Sequence, residues 1–214
     1  MSVLMRAPQP CASWFWDLDD VTEPGLEQAL KTAGRMAGVL GRYGLLEPVA
    51  LEWGWFAVGT GGLGIRTRFT LAGQSLDSVD LPGQLRACGP VGHPSAEMSD
   101  LLVVGSGTWV DAEGKEHRES RLVELTVSPD PIGPSAGLSV HHDVWAAFDF
   151  HGRPHPAVRE NNAPRLANAL GELERLLGVP GEGGEPTYFG VAEGYGLAVP
   201  DVIDGLGPDL TDLM

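Results

Sequence analysis

The stretch from Leu138 to Gly178, LSVHHDVWAAFDFHGRPHPAVRENNAPRLANALGELERLLG, decides how we interpret the fold of this chain. Its first part, Leu138 to Trp145, has the composition of a strand with polar residues on a defined face. A turn rich in proline and histidine follows, and then an amphipathic helix. The stretch holds four of the six histidines of the chain. We therefore expect it to be the place where sheet, turn and helix meet.

The helix of this stretch carries start and stop signals. Asn161 and Asn162 are typical N-cap residues, and Pro164 suits the first turn, where its missing N–H costs nothing. Gly178 is a typical residue after the last turn. An apolar stripe runs between these signals: Leu166, Leu170, Leu173 and Leu177.

Two β-rich runs precede the stretch, and they predict a meander. Leu101 to Val110 and Arg118 to Val127 are joined by DAEGKE, whose Gly114 suits a position of positive φ. Together with the strand at Leu138 to Trp145 they give three antiparallel strands. Gly105 and Gly107 in the first run are typical of a β-bulge.

The N-terminal half predicts a strand, a helix and a hairpin. Residues 12–18, ASWFWDL, favour a first strand, and a helix follows from Thr22-Glu23-Pro24 to about Arg42. Its three glycines, Gly34, Gly38 and Gly41, indicate close packing against it. The runs VALEWGWFAV and GIRTRFTLAG, with a glycine turn between them, read as a hairpin.

These elements together predict an α+β fold. Its sheet is largely antiparallel, a hairpin plus a three-stranded meander, and two helices cover one face. We expect one domain over residues 1–180, with a possible internal boundary in the irregular segment 73–100, which would hold a short helix at 95–99. Residues 181–214 are rich in Gly, Pro and acidic residues and predict an extended tail across the domain.

Charge is the strongest departure in composition. The chain has 214 residues, with 29 acidic against 14 basic, and a formal net charge of −15. Binding to nucleic acid or to an anionic membrane is disfavoured, because both need a basic surface. An acidic surface favours a basic protein partner, although solubility alone is an alternative explanation. With no signal peptide or apolar span, we expect a cytoplasmic protein.

A possible metal site lies in the opening stretch. Strand alternation would place His141 and Asp143 on one face, and His151 and His155 in the following turn would complete a ligand set. None of the usual metal-binding spacings is present, so the alternative is a solvent face, a core His142 and a turn. Gly59 to Gly64 matches G-x-G-x-x-G, but a strand follows it, so we interpret it as a hairpin turn and expect no cofactor.

An acidic and aromatic edge is the candidate binding surface. It comprises Trp14, Trp16, Asp17, Asp19 and Asp20, around the junction of the first strand and helix. Tryptophans beside carboxylates are common in the energetic centres of protein interfaces. Core packing of these indoles, and of Trp53 and Trp55, is the alternative.

In acidity, size, meander and closing helix, residues 101–178 resemble the small immunity proteins that bacteria keep beside polymorphic toxins. The segments that carry this resemblance are VELTV, DVWAAFDFHGRPHP and NAPRLANALGELERLLG. The resemblance implies stoichiometric capping of a basic toxin. The sequence leaves two other functions open: a metal-dependent enzyme built on His141, Asp143, His151 and His155, and an accessory protein that binds a small ligand between sheet and helices.

Overall fold

A nine-stranded antiparallel sheet forms the centre of the molecule, in a computed structural model that describes residues 4–130 and 132–214. Seven strands follow the order β3-β2-β5-β7-β8-β1-β9, β4 pairs with β2 and β6 pairs with β5. A separate two-stranded ribbon, β10-β11, lies outside it. The strands are β1 Ala12–Asp17, β2 Glu47–Ala57, β3 Gly61–Thr70, β4 Glu97–Met98, β5 Leu101–Val110, β6 Glu116–Ser120, β7 Glu124–Val127, β8 Ser135–Val140, β9 Glu182–Gly183, β10 Ala192–Glu193 and β11 Gly196–Leu197.

Two long helices pack on one face of this sheet, so the predicted α+β fold is confirmed. They are α1, Leu26–Arg42, and α3, Pro156–Leu177. Between them in sequence is the short α2, Leu81–Ala87, and two 3-10 turns lie at Asp143–Trp145 and Thr211–Leu213. Helix α1 contacts β2, β7 and β8, while α3 contacts β5 and α1. The main core lies between these helices and the sheet.

The N-terminal elements match their prediction closely. Strand β1 and the β2–β3 hairpin form where the alternation of apolar and polar residues places them. Helix α1 ends at Arg42 as expected but begins at Leu26, after Gly25, which adopts a φ of 106°. The close packing expected at its glycines is not found among the described residues: a methyl group on Gly34 or Gly41 would make only ordinary contacts of 3.5 Å or more, and one on Gly38 would meet none within 4 Å.

The second run of the predicted meander is two strands instead of one. Strand β6 pairs with the C-terminal half of β5 and β7 with the N-terminal half. They are separated at Arg121, which has a φ of 53°. Leu122 and Val123 are adjacent and both buried, and a straight strand cannot bury two successive side chains on one face. The chain therefore turns there and re-enters the sheet as β7.

The third predicted strand ends five residues early. Strand β8 stops at Val140, and residues 141–145 leave the sheet and are all buried. Arg6 forms a bridge with His142, and the amide of Ala7 donates to the carbonyl of His141 at 2.7 Å. The prediction of strand structure to Trp145 was wrong because this contact with the N-terminal segment takes over from the sheet.

Helix α3 begins one and a half turns before the predicted caps. Pro156 occupies its first turn, whereas Asn161 and Asn162 lie inside the helix and Pro164 is an internal proline. Asn162 is fully buried, accepts from the amide of Val110 at 2.9 Å and donates to the carbonyl of Val110 at 2.7 Å. The side chain that resembles a cap instead ties α3 to the end of β5. Gly178 does end the helix, with a φ of 77°.

Segment 73–100 differs from its prediction as well. The expected helix at 95–99 is absent from this described segment: residues 97–98 form β4, and the helix is α2. Leu81, Pro82 and Leu85 of α2 are buried, so it packs onto the core as part of the same domain.

The C-terminal segment 181–214 contacts the sheet edge and a small second core. Strand β9 pairs with β1 at the sheet edge, and the amide of Gly184 donates to the carbonyl of Ser13. Further along, Phe189 packs edge-to-face on Phe150 in a small second core.

Gly105 and Gly107 are required by the approach of β5 to the chain that enters β2. A methyl group on Gly105 would collide with the carbonyl oxygen of Glu47, and one on Gly107 with that of Leu45. The register of β2 against β5 shifts between Pro48 and Ala50, which is the predicted bulge, on the partner strand.

We predict that Gly107→Ala lowers the free energy of unfolding by about 2–3 kcal/mol or more, because the backbone carbonyl of Leu45 cannot move without breaking the pairing of β2. The matched control is Gly62→Ala in β3, where an added methyl group meets nothing within 4 Å. Urea unfolding of both variants measures the difference. Equal unfolding free energies would contradict the proposed close approach.

Candidate functional site

The four candidate metal ligands have separate environments. Nδ1 of His141 lies 3.2 Å from the carbonyl oxygen of Ala7, and its Nε2 lies 3.5 Å from Glu124. Asp143 is buried and accepts from the amide of Phe150 at 3.4 Å. Because β8 ends at Val140, the alternation that would have aligned His141 with Asp143 does not apply.

The two turn histidines are likewise occupied elsewhere. His151 is exposed, and Nε2 of His155 lies 2.9 Å from the carbonyl oxygen of Ala146. Within residues 4–130 and 132–214, no three His, Cys, Asp or Glu side chains are grouped so that they could hold a metal ion. The set of His141, Asp143, His151 and His155 is therefore not assembled as a ligand cluster.

Burial gives three groups near this segment unusual pKa values. It raises the pKa of Asp143 to about 6 and lowers the pKa of His142 to about 4, because both are charged only at the cost of desolvation. Burial also raises the pKa of the Cys11 thiol to about 12. Burial shifts all three equilibria towards the neutral form, and the three groups belong to the packing of the N-terminal segment.

The indoles of the predicted binding edge are in the core. Trp14 and Trp16 are 2% and 1% exposed, and Nε1 of Trp14 donates to the carbonyl of Gly194 at 2.8 Å. Their alternation in β1 was predicted, but the face they share is the one beneath the helices. Including them in a binding surface was wrong, and the alternative of core packing is confirmed for Trp14, Trp16, Trp53 and Trp55.

The acidic members of that edge are at the surface. Asp17, Asp19 and Asp20 are exposed, and none forms an ion pair with another described residue. The side chain of Asp17 accepts from the amide of Asp19 at 3.0 Å, which fixes the turn after β1.

A cavity of about 710 Å³ lies at the same end of the sheet. Its apolar floor comes from the start of α1, the end of β2 and β4: Leu26, Trp55, Phe56 and Met98. The chain between α2 and β4 forms one wall, and the turn after β7, at Ser128 to Asp130, forms another. This volume lies within the range of small-molecule sites.

The rim of the cavity is acidic. Glu97, Asp100 and Asp130 line it, and all three are exposed. Glu97 and Asp100 come from β4 and its short connection to β5, and Asp130 comes from the turn after β7. Arg86 also lines it, but both terminal nitrogens of its guanidinium donate to Glu27, at 2.7 and 2.9 Å. His93 is the remaining titratable group in the lining. The rim therefore carries an excess of negative charge.

Sheet topology places this rim and the acidic turn at the same end of the sheet, with β8 between β7 and β1. Asp17 of β1 pairs with Ser135 of β8, and Val127 of β7 pairs with Ala136 of β8 and with Leu101 of β5. The ends of β1 and β7 and the start of β5 therefore lie at one end of the sheet. The acidic turn follows β1, Asp130 follows β7, and Asp100 precedes β5. We call the set Asp17, Asp19, Asp20, Glu97, Asp100 and Asp130 the acidic end.

Apolar side chains are exposed among these carboxylates. Val91 at the cavity wall is 101% exposed, and Ile132, in the turn between β7 and β8, is 87% exposed. Val21, just beyond Asp20, is 49% exposed. These side chains are available for apolar contact beside the carboxylates.

Six of the twelve arginines form ion pairs with glutamates among the described residues. On the sheet face away from the helices, Arg121 bridges Glu52 at 2.6 Å and Glu124 at 3.0 Å, and Arg6 reaches Glu124 at 2.7 Å. Arg68 also pairs with Glu52. Sequence reasoning missed this network, because its members are distant in the chain.

Comparison with known proteins gives no relative: no family model, no curated protein and no solved structure matches this chain. A search of the helices in the described ranges, 4–130 and 132–214, finds none that combines the length and the apolar character of a membrane span.

Glu124 should make the protein sensitive to acid. Burial raises its pKa, but hydrogen bonds from His141 and Arg121 and the charge of Arg6 outweigh burial and lower it to about 2. A carboxylate whose pKa is lowered by folding contributes its full stabilisation at pH values above 4.5, the pKa of the group in the unfolded chain. This contribution is lost as the pH falls towards 2, the pKa in the folded protein.

We predict that Glu124→Gln lowers the free energy of unfolding by about 2–3 kcal/mol at pH 7, and that its difference from the wild type shrinks as the pH falls from about 4.5 towards 2. Glu113→Gln, at an exposed turn position, is the control and should change stability by less than about 0.5 kcal/mol. Denaturant unfolding at several pH values tests this. A difference that stays constant with pH would refute the role of the ionised carboxylate.

Proposed function

We propose that this protein is a binding protein that captures a basic protein partner at its acidic end. The observation that carries the proposal is a set of exposed carboxylates at one end of the sheet that form no ion pair with any described residue. Glu97, Asp100 and Asp130 line the cavity, and Asp17, Asp19 and Asp20 lie in the turn after β1 at the same end. The sequence analysis expected a basic partner from net charge alone; the geometry supports a location for it.

The distribution of charge supports electrostatic capture. Six arginines each form an ion pair with a glutamate: Arg6, Arg42, Arg68, Arg86, Arg118 and Arg121. The carboxylates of the acidic end have no such partners among the described residues. An unpaired patch of one sign steers an oppositely charged partner and raises its association rate.

The exposed apolar residues favour a protein over a small polycation. Val91 and Ile132 offer apolar contact area beside the carboxylates, and apolar burial is what prolongs a complex after charge has formed it. Capping of a basic toxin, as immunity proteins do, is the form of this activity that the resemblance of residues 101–178 implies.

Binding of a small ligand is the second candidate. The volume of about 710 Å³ and the apolar floor favour it, as a site of this kind buries a drug-sized molecule. It needs the cavity alone, whereas capture of a protein also uses Asp17, Asp19 and Asp20. The metal-dependent enzyme alternative has no assembled ligand set within residues 4–130 and 132–214 to support it.

Charge-neutralising variants test the proposal. We predict that the triple variant Asp17→Asn, Asp19→Asn, Asp20→Asn binds the small basic proteins lysozyme and cytochrome c at least about threefold more weakly at low ionic strength, and that wild-type binding weakens as salt rises, because screening shortens the reach of these charges. Isothermal titration at several salt concentrations measures both effects.

The matched control removes the same charge from the opposite end of the sheet. Glu113→Gln, Glu116→Gln, Glu160→Gln changes three exposed residues that form no ion pair, and both variants go from a net charge of −15 to −12. The control should retain most of the wild-type affinity. Equal weakening by the two variants would mean that net charge, and not the acidic end, governs binding.

A further inference from the structure

We infer that the cavity at the acidic end receives an arginine at the tip of a loop of the partner. The inference rests on the proposed function and names the group that enters the site.

The floor of the cavity suits a flat cation with an apolar stem. Trp55 of β2 and its pairing partner Met98 of β4 both line the cavity. Trp55 is 5% exposed and belongs mainly to the core, so the accessible part of the floor comes from the half-buried Phe56 and Met98. Nε1 of Trp55 donates to Oγ1 of Thr67 at 2.8 Å, which fixes the indole in place. A guanidinium stacks on aromatic surfaces and is more weakly hydrated than an ammonium group, so it loses less when it enters such a site.

The rim offers the carboxylates that a guanidinium needs. Glu97, Asp100 and Asp130 stand on β4, between β4 and β5, and after β7, so they approach the cavity from different sides. Asp130 is positioned by its own turn, since its Oδ1 accepts from the amide of Ile132 at 2.8 Å. Arginine, with five donors in a planar fork, can bond two carboxylates at once, whereas lysine offers a single point of charge.

The volume of the cavity and the pairing of Arg86, which lines it, indicate what can enter. About 710 Å³ exceeds what one side chain fills, so the flanking residues of a loop would enter with it. Arg86 does not satisfy the rim, because Glu27 holds both terminal nitrogens of its guanidinium. The negative rim thus remains available to a cation from outside.

Three short peptides test the inference without the full partner: Ac-Gly-Ser-Arg-Ser-Gly-NH2 and its analogues with Lys or Gln in place of Arg. The reporter is the indole N–H resonance of Trp55 in proton–nitrogen correlation spectra, identified with Trp55→Phe. We expect the arginine peptide to shift this resonance in a saturable way, to bind more tightly than the lysine peptide, and to leave the glutamine peptide without effect.

Variants then locate the contact. The double variant Asp100→Asn, Asp130→Asn should weaken binding of the arginine peptide by about tenfold. An asparagine at position 130 still has an Oδ1 that can accept the hydrogen bond from the amide of Ile132, so the turn is retained. The control Glu113→Gln, Glu116→Gln should leave it unchanged, and the dispersed indole resonances of both variants report that the fold is intact.

The outcomes separate this inference from the proposed function. If arginine and glutamine peptides behave alike, or if the rim and control variants weaken binding equally, the inference is overturned. Should basic proteins still depend on Asp17, Asp19 and Asp20 in that event, the proposed function stands without it. If neither peptides nor basic proteins bind, both fail.

Discussion

The structure depends on one constraint: a single face of a large antiparallel sheet must be buried beneath α1 and α3. In β1 this draws Trp14 and Trp16 into the core and leaves Asp17 exposed where the strand ends. In β2 the same constraint buries Trp53 and Trp55. The aromatic residues therefore stabilise the fold, and the carboxylates in the connections between strands are left exposed to solvent.

The alternation of apolar and polar residues and the helix-end signals correctly predicted the elements that depend only on neighbouring residues. The alternation in β1, the β2–β3 hairpin, the end of α1 at Arg42 and the stop at Gly178 all follow from neighbouring residues. The errors occurred where distant contacts decide. Arg6 draws residues 141–145 out of the sheet, and Asn162 serves β5 instead of capping α3.

The candidate site was only half predictable for the same reason. The acidic turn after β1 is contiguous in sequence, so Asp17, Asp19 and Asp20 were found. The cavity is assembled from α1, β2, the α2–β4 connection and the turn after β7, and no local signal relates these segments. Only the strand order places Asp100 and Asp130 at the same end of the sheet as Asp17.

The central claim is that a basic protein docks on the acidic end, and hydrogen–deuterium exchange tests it most directly. With lysozyme added at low ionic strength, the account predicts slower amide exchange in residues 17–23, 89–100 and 128–133, and unchanged exchange in the β5–β6 hairpin at 111–119. Protection centred on 111–119, or spread evenly over the whole surface, would contradict it.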